Sequence, residues 1–134
     1  MPGAIELVRA ASGIRPLAVA SNAPASIVRS YLAPFGILDA FDVIVGSTDV
    51  RSPKPAPDVY LLACERLRVR PARAVAVEDS PVGVASARAA QLRVVGIPSA
   101  RDLRLRAHAV YDSLDDPNVW HELGVPRPVT VEST

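Results

Sequence analysis

Lys54 is the only lysine among fifteen basic side chains, the other fourteen being arginine, and Pro53 and Pro55 flank it on a restrained backbone. An ammonium is a compact charge that fits where the planar fork of a guanidinium would not. Two readings stay open: a charge aimed into a site, or a solvated loop charge. Glu78 and Asp79 are adjacent carboxylates following the apolar run Ala74–Val77. They could offer oxygen ligands to Mg²⁺ and leave the other coordination positions to water and phosphate. Equally, acids just ahead of a helix complement its positive N-terminal end. Ser21 and Asn22 precede Pro24, so they are ordinary caps for the next helix or polar groups that face an anion beside free backbone N–H groups.

Positioning these residues falls to alternating apolar strands and helices. Residues 3–12 have helical spacing, bounded by Pro2 and Gly13, and predict a first helix. Short apolar runs at 16–21, 41–46, 74–77 and 94–97 have the length and flanks of buried strands, and 109–111 reads as a short fifth. Helical periodicity returns at 24–34, at 58–69 through Val59, Leu62, Ala63 and Leu67, and from Ser80 to about Gln91. Ser80 is a good N-cap, Pro81 suits the first position, and Gly83 permits close approach of a neighbour. Residues 118–123 read as a turn of helix. Together these predict an α/β fold, a mostly parallel sheet with helices on both faces. Ser21–Asn22, Ser47–Asp49 and Glu78–Ser80 all follow strands and are expected on one rim, beyond the carboxyl ends where such sheets bind ligands. Residues 1–124 form the expected domain, and 125–134, with Pro126 and Pro128, a loose tail.

The chain has 134 residues, 49% of them hydrophobic and 22% charged. That is one domain able to bury roughly two-thirds of the surface it exposes when unfolded. A net charge of +1 lacks the electrostatic footprint of nucleic-acid binding. No apolar stretch approaches the ~18 residues of a membrane span, and Glu6 and Arg9 interrupt the first apolar pattern, so no secretory signal is evident. The expected location is cytoplasmic. Cys64 is the single cysteine and reads as core filler. His108 and His121 read as structural or surface side chains.

The ordered set VASNAP at 19–24, SPKPAPDVYLLA at 52–63 and VEDSPVGVASARAA at 77–90 resembles the haloacid dehalogenase-like hydrolase superfamily, specifically its phosphatases and β-phosphoglucomutase-like members. The resemblance implies a Rossmann-like three-layer core and Mg²⁺-dependent hydrolysis or transfer of a phosphoryl group on a phosphorylated small molecule. By the same resemblance, Ser21 hydrogen-bonds a phosphoryl oxygen, Asn22 assists the phosphate or substrate, Lys54 neutralises charge on the nucleophile and phosphate, and Glu78 and Asp79 bind or orient the metal. Such phosphoryl transfer relies on cationic and hydrogen-bonding groups aimed at the equatorial oxygens.

Two family features are missing. No Asp-x-Asp motif occurs in the chain, although the family uses its first Asp as nucleophile and its second as acid and base. The acidic segment Tyr111–Asp116 has the wrong spacing and reads as a surface turn. The cap domain that selects the substrate is absent as well. In the family the first strand lies between those ending at Ser21 and Glu78, so a truncated core is expected, with residue 1 near where the chain re-enters it. The gap closes by direct pairing of the two strands, by self-association or a complementing chain, or by an upstream start of the protein. The second functional reading is a non-catalytic phosphate-binding or assembly module. A phospho-receiver domain combines similar residues, but there the acidic pair comes early and the lysine last.

Overall fold

The computed structural model describes residues 2–127. Its element order is α1 (Ala4–Ala11), β1 (Ala18–Ala20), α2 (Ala25–Leu32), β2 (Val43–Val45), α3 (Asp58–Leu67), β3 (Val75–Glu78), α4 (Pro81–Ala89), β4 (Arg93–Gly96), β5 (Ala109–Val110) and α5 (Pro117–Leu123). Every strand pairing is parallel, which is the predicted α/β class. The proline-rich loop 47–57 between β2 and α3 opens with a 3-10 turn, Ser47–Asp49.

Local chemistry fixes the helix ends. The Ser80 hydroxyl accepts from Gly83 N with Pro81 at the first position of α4, and Asp116 caps α5 by accepting from Asn118 N. Such caps satisfy N–H groups that have no partner within the helix. Helix α3 stops two residues earlier than its apolar pattern, at Arg68, whose φ of 59° is left-handed. Ser21 and Asn22 do not cap α2: its N-cap is Pro24, without a side-chain hydrogen bond.

Side-chain alternation along the strands produces the layers. Ala76 and Val94 join α3 and α4 in one apolar cluster, with Val45, Val59 and Ala87. Val75, Val77 and Val95 face a second cluster with Leu7 and Ala11 of α1 and with Val119 and Trp120 of α5. Val94, Val95 and Val119 are wholly excluded from solvent, each contributing about 1.5–3 kcal/mol relative to exposure. Cys64 is buried on α3, as its helical position predicts. The segment expected to be a loose tail begins with Val125, which is buried in the second cluster; 128–134 lie outside the described residues.

The strands form two sheets, β1–β2 and β3–β4–β5. Direct pairing of β1 with β3, one of the expected ways to close the gap, does not occur. Helix α3 contacts β1 and β2, α4 contacts β3 and β4, and the helices contact each other, so one core spans both sheets. In a parallel ladder alternate residues bond to the same neighbour. Leu17 O and Ser21 N engage β2, while Ala74 O and Glu78 O engage β4. The intervening Ala18, Ala20, Val75 and Val77 therefore turn their backbone groups to the unpaired edges, and all four are only half-buried.

Candidate functional site

Loops after β1, β2 and β3 meet at the C-terminal rim. Ser47 N donates to Ala23 O at 2.9 Å, which ties the first two together. Gly46 is required there, because a Cβ would overlap the backbone between Ala23 and Ala25. Asn22 Oδ1 accepts from Lys54 N at 2.8 Å, and Lys54 Nζ lies 2.6 Å from Glu78 Oε1. A continuous chain of contacts thus runs from the end of β1, through the proline-rich loop, to the end of β3.

That loop is anchored from beneath. The Ser86 hydroxyl, wholly buried on α4, donates to Ala56 O at 2.6 Å, and Asp58 accepts from Ser52 N at 3.2 Å. The Lys54–Pro55 peptide is cis. Lys54 is not a solvated loop charge: its side chain is 12% exposed and that of Glu78 only 8%. A buried ion pair must be well hydrogen-bonded to offset its desolvation, and the Tyr60 hydroxyl supplies another donor to Glu78 Oε1. Burial, followed by the negative charge of Glu78, holds the Tyr60 hydroxyl protonated far above the usual tyrosine range. Gly83 makes room for this arrangement, since a Cβ there would overlap the Glu78 carboxylate.

The predicted residues divide into two groups. Asn22, Lys54 and Glu78 are joined by direct contacts. Ser21 stands beside them, but its hydroxyl accepts from Ala23 N at 3.0 Å in a local turn. Asp79 turns to a cleft of about 320 Å³ that Ile97, Ser99, Asp112 and Ser113 also line. Part of the Tyr111–Asp116 segment, expected as a surface turn, thus shares the hollow with Asp79. A separate hollow of about 450 Å³, near Arg15, Asp42 and Arg66, opens beside residues that precede β1 and β2 and includes none of the predicted site residues. Sequence reading missed Tyr60. Its phenol stands among aliphatic neighbours on the core face of α3, and the hydroxyl was the one available signal. His108 serves the sheet: its Nδ1 accepts from Val94 N at 2.8 Å.

The family model for haloacid dehalogenase-like hydrolases matches residues 1–91. Protein CbbY of Rhodobacter capsulatus is 49% identical over 101 residues, covering 70% of this chain and 43% of its own length. Fructose-1-phosphate phosphatase YqaB of Escherichia coli is 37% identical over 86 residues, covering 64% and 46% respectively. The crystal structure of CbbY from Rhodobacter sphaeroides in complex with phosphate superposes with a TM-score of 0.77 at 36% identity, over 84% of this chain and 53% of that one. The chain spans less than half the length of the two curated relatives. With motif order, parallel layers and family model in agreement, the chain belongs to the haloacid dehalogenase-like hydrolase family.

Proposed function

We propose that the chain forms the phosphate- and metal-handling part of a phosphatase or phosphomutase core acting on a phosphorylated small molecule, in the cytoplasm. The observation that carries this reading is the Asn22–Lys54–Glu78 chain of contacts, which fixes one ammonium at the rim between two strand ends. Lys54 neutralises charge on the phosphoryl oxygens, Ser21 donates a hydrogen bond to one of them, and Asn22 holds the lysine backbone and assists the phosphate.

Glu78 and Asp79 are hard oxygen donors, a chemistry suited to Mg²⁺. Among the described residues no three acidic, histidine or cysteine side chains gather into one group, and Glu78 is committed to Lys54 and Tyr60, so Asp79 would hold the ion, with water and phosphate completing its shell, and Glu78 would orient the site. Mg²⁺ supplies charge neutralisation on phosphoryl oxygens when bound. The nucleophilic Asp is not among these 134 residues, and we propose that turnover needs a further strand at the β1 and β3 edges that carries it.

The test is an assay with inorganic phosphate, an aryl phosphate monoester and Mg²⁺. Mg²⁺-dependent phosphate binding, weakened about tenfold or more in Lys54→Ala, without hydrolysis by the chain alone, is the expected result. Robust hydrolysis that disappears in Lys54→Ala or Asp79→Ala would overturn the assignment of a missing nucleophile, and absence of phosphate binding would remove the reading altogether. The separation of β1 from β3 favours a second reading, a non-catalytic phosphate-binding or assembly module. Self-association, or strand addition that leaves hydrolysis silent, would support it.

A further inference from the structure

Tyr60 lies in the first turn of α3 and is 8% exposed. It touches both members of the buried pair. Its hydroxyl donates to Glu78 Oε1, the same oxygen that receives Lys54 Nζ, and the ammonium stands 5.1 Å from its ring centroid, within the range of a cation–π contact. A carboxylate oxygen has two lone-pair directions, and the two donors occupy both at Oε1. The carboxylate also lies so close to Gly83 that a Cβ there would overlap it.

We propose that Tyr60 is the positioning residue of the Lys54 ammonium, holding it through the Glu78 carboxylate on one side and through its ring face on the other. An ammonium has three N–H donors. With one committed to Glu78 and the ring close by, two donors remain for an anion, and the side chain keeps 12% of its surface exposed. A simpler packing role would need only the ring and any nearby acceptor. Here the hydroxyl instead shares one oxygen with the lone lysine of the chain.

The inference rests on the reading of Lys54 as the phosphate-facing cation, but it can be tested on the ammonium directly. Because Lys54 is the only lysine, ¹⁵N-lysine labelling of the full chain gives one side-chain signal. Lys54→Ala confirms its assignment by removing it. The parent should show a sharp ammonium resonance near neutral pH, with Overhauser contacts from the Lys54 side chain to the Tyr60 ring. Tyr60→Phe keeps the ring and the backbone amide spectrum, yet should broaden the ammonium resonance and weaken inorganic phosphate binding about tenfold. An unchanged resonance in a folded Tyr60→Phe protein would overturn the proposal. So would absence of the Overhauser contacts in the parent, a measurement that stands even where the variant does not fold. Broadening in Tyr60→Phe with no phosphate binding by the parent would sustain the role of Tyr60 while removing the phosphate reading of the site.

Discussion

At the scale of single residues, Gly83 is the position where an ordinary rule reverses. Glycine inside a helix is normally about 0.5–1 kcal/mol worse than alanine, so Gly83→Ala should stabilise α4 on propensity alone. The added methyl would instead meet the Glu78 carboxylate, itself buried and fixed by two donors. Overpacking of this kind costs about 1–3 kcal/mol. We expect a lower denaturation midpoint for Gly83→Ala, and the Lys54 ammonium resonance should move with it. Tyr60 sets the alkaline behaviour. Burial first, then Glu78, raises its pKa above the ordinary 10.0, so between those values the folded state keeps a proton that the unfolded chain gives up. Its stabilising contribution is therefore complete below about pH 10 and declines as pH rises further. Spectrophotometric titration should show one phenolate appearing only together with loss of the helical signal. Lys54 and Glu78 were legible because charge type, flanking prolines and strand-end placement all mark them. Tyr60 was not, because its tie to Glu78 crosses 18 positions, and its place on α3 has the same apolar spacing as Val59 and Ala63.

Elements here are short, and their ends are tied by specific side chains. Arg93 on β4 lies 2.6 Å from Glu122 on α5, and Tyr111, just beyond β5, donates to the other Glu122 oxygen at 2.8 Å. Burial would raise the Glu122 pKa, but hydrogen bonds from Tyr111 and Arg93 and the charge of Arg93 outweigh it and leave the pKa lowered from 4.5. A depressed folded-state value stabilises the fold above the ordinary value and is lost as pH falls through the folded one. Glu122→Gln should thus cost stability at pH 7 but converge with the parent in acid, as two pH-dependent melting curves would reveal. Arg93 is half exposed, which keeps the pair to about 1 kcal/mol or less. The order and type of the elements were readable from apolar period and punctuation. Details set by partners distant in sequence were not: Asn22 resembles a cap for α2 but spends its carbonyl on Lys54 N, and Val125 resembles a tail but fills the space beside Trp120.

Across the whole molecule, the division into two sheets should appear in amide exchange. Strand β4 is paired on both sides, whereas β1 and β3 each have a single strand neighbour. Ala18, Ala20, Val75 and Val77 should exchange much faster than Val94 and Val95, and uniform protection of all six amides would contradict the open edges. No helix among the described residues is long and apolar enough to cross a membrane. A gap between β1 and β3 was anticipated from family resemblance, but of the ways to close it direct pairing does not occur: the sequence pattern shows which runs are strands, while hydrogen bonding in three dimensions decides which runs touch.

The open edges also make thermal stability a matter of mass action. Any extended segment that docks there only in the native state would raise the melting temperature with its own concentration, adding about 2.7 kcal/mol when present at one hundred times its dissociation constant. A melting point measured on the purified chain is then a lower bound.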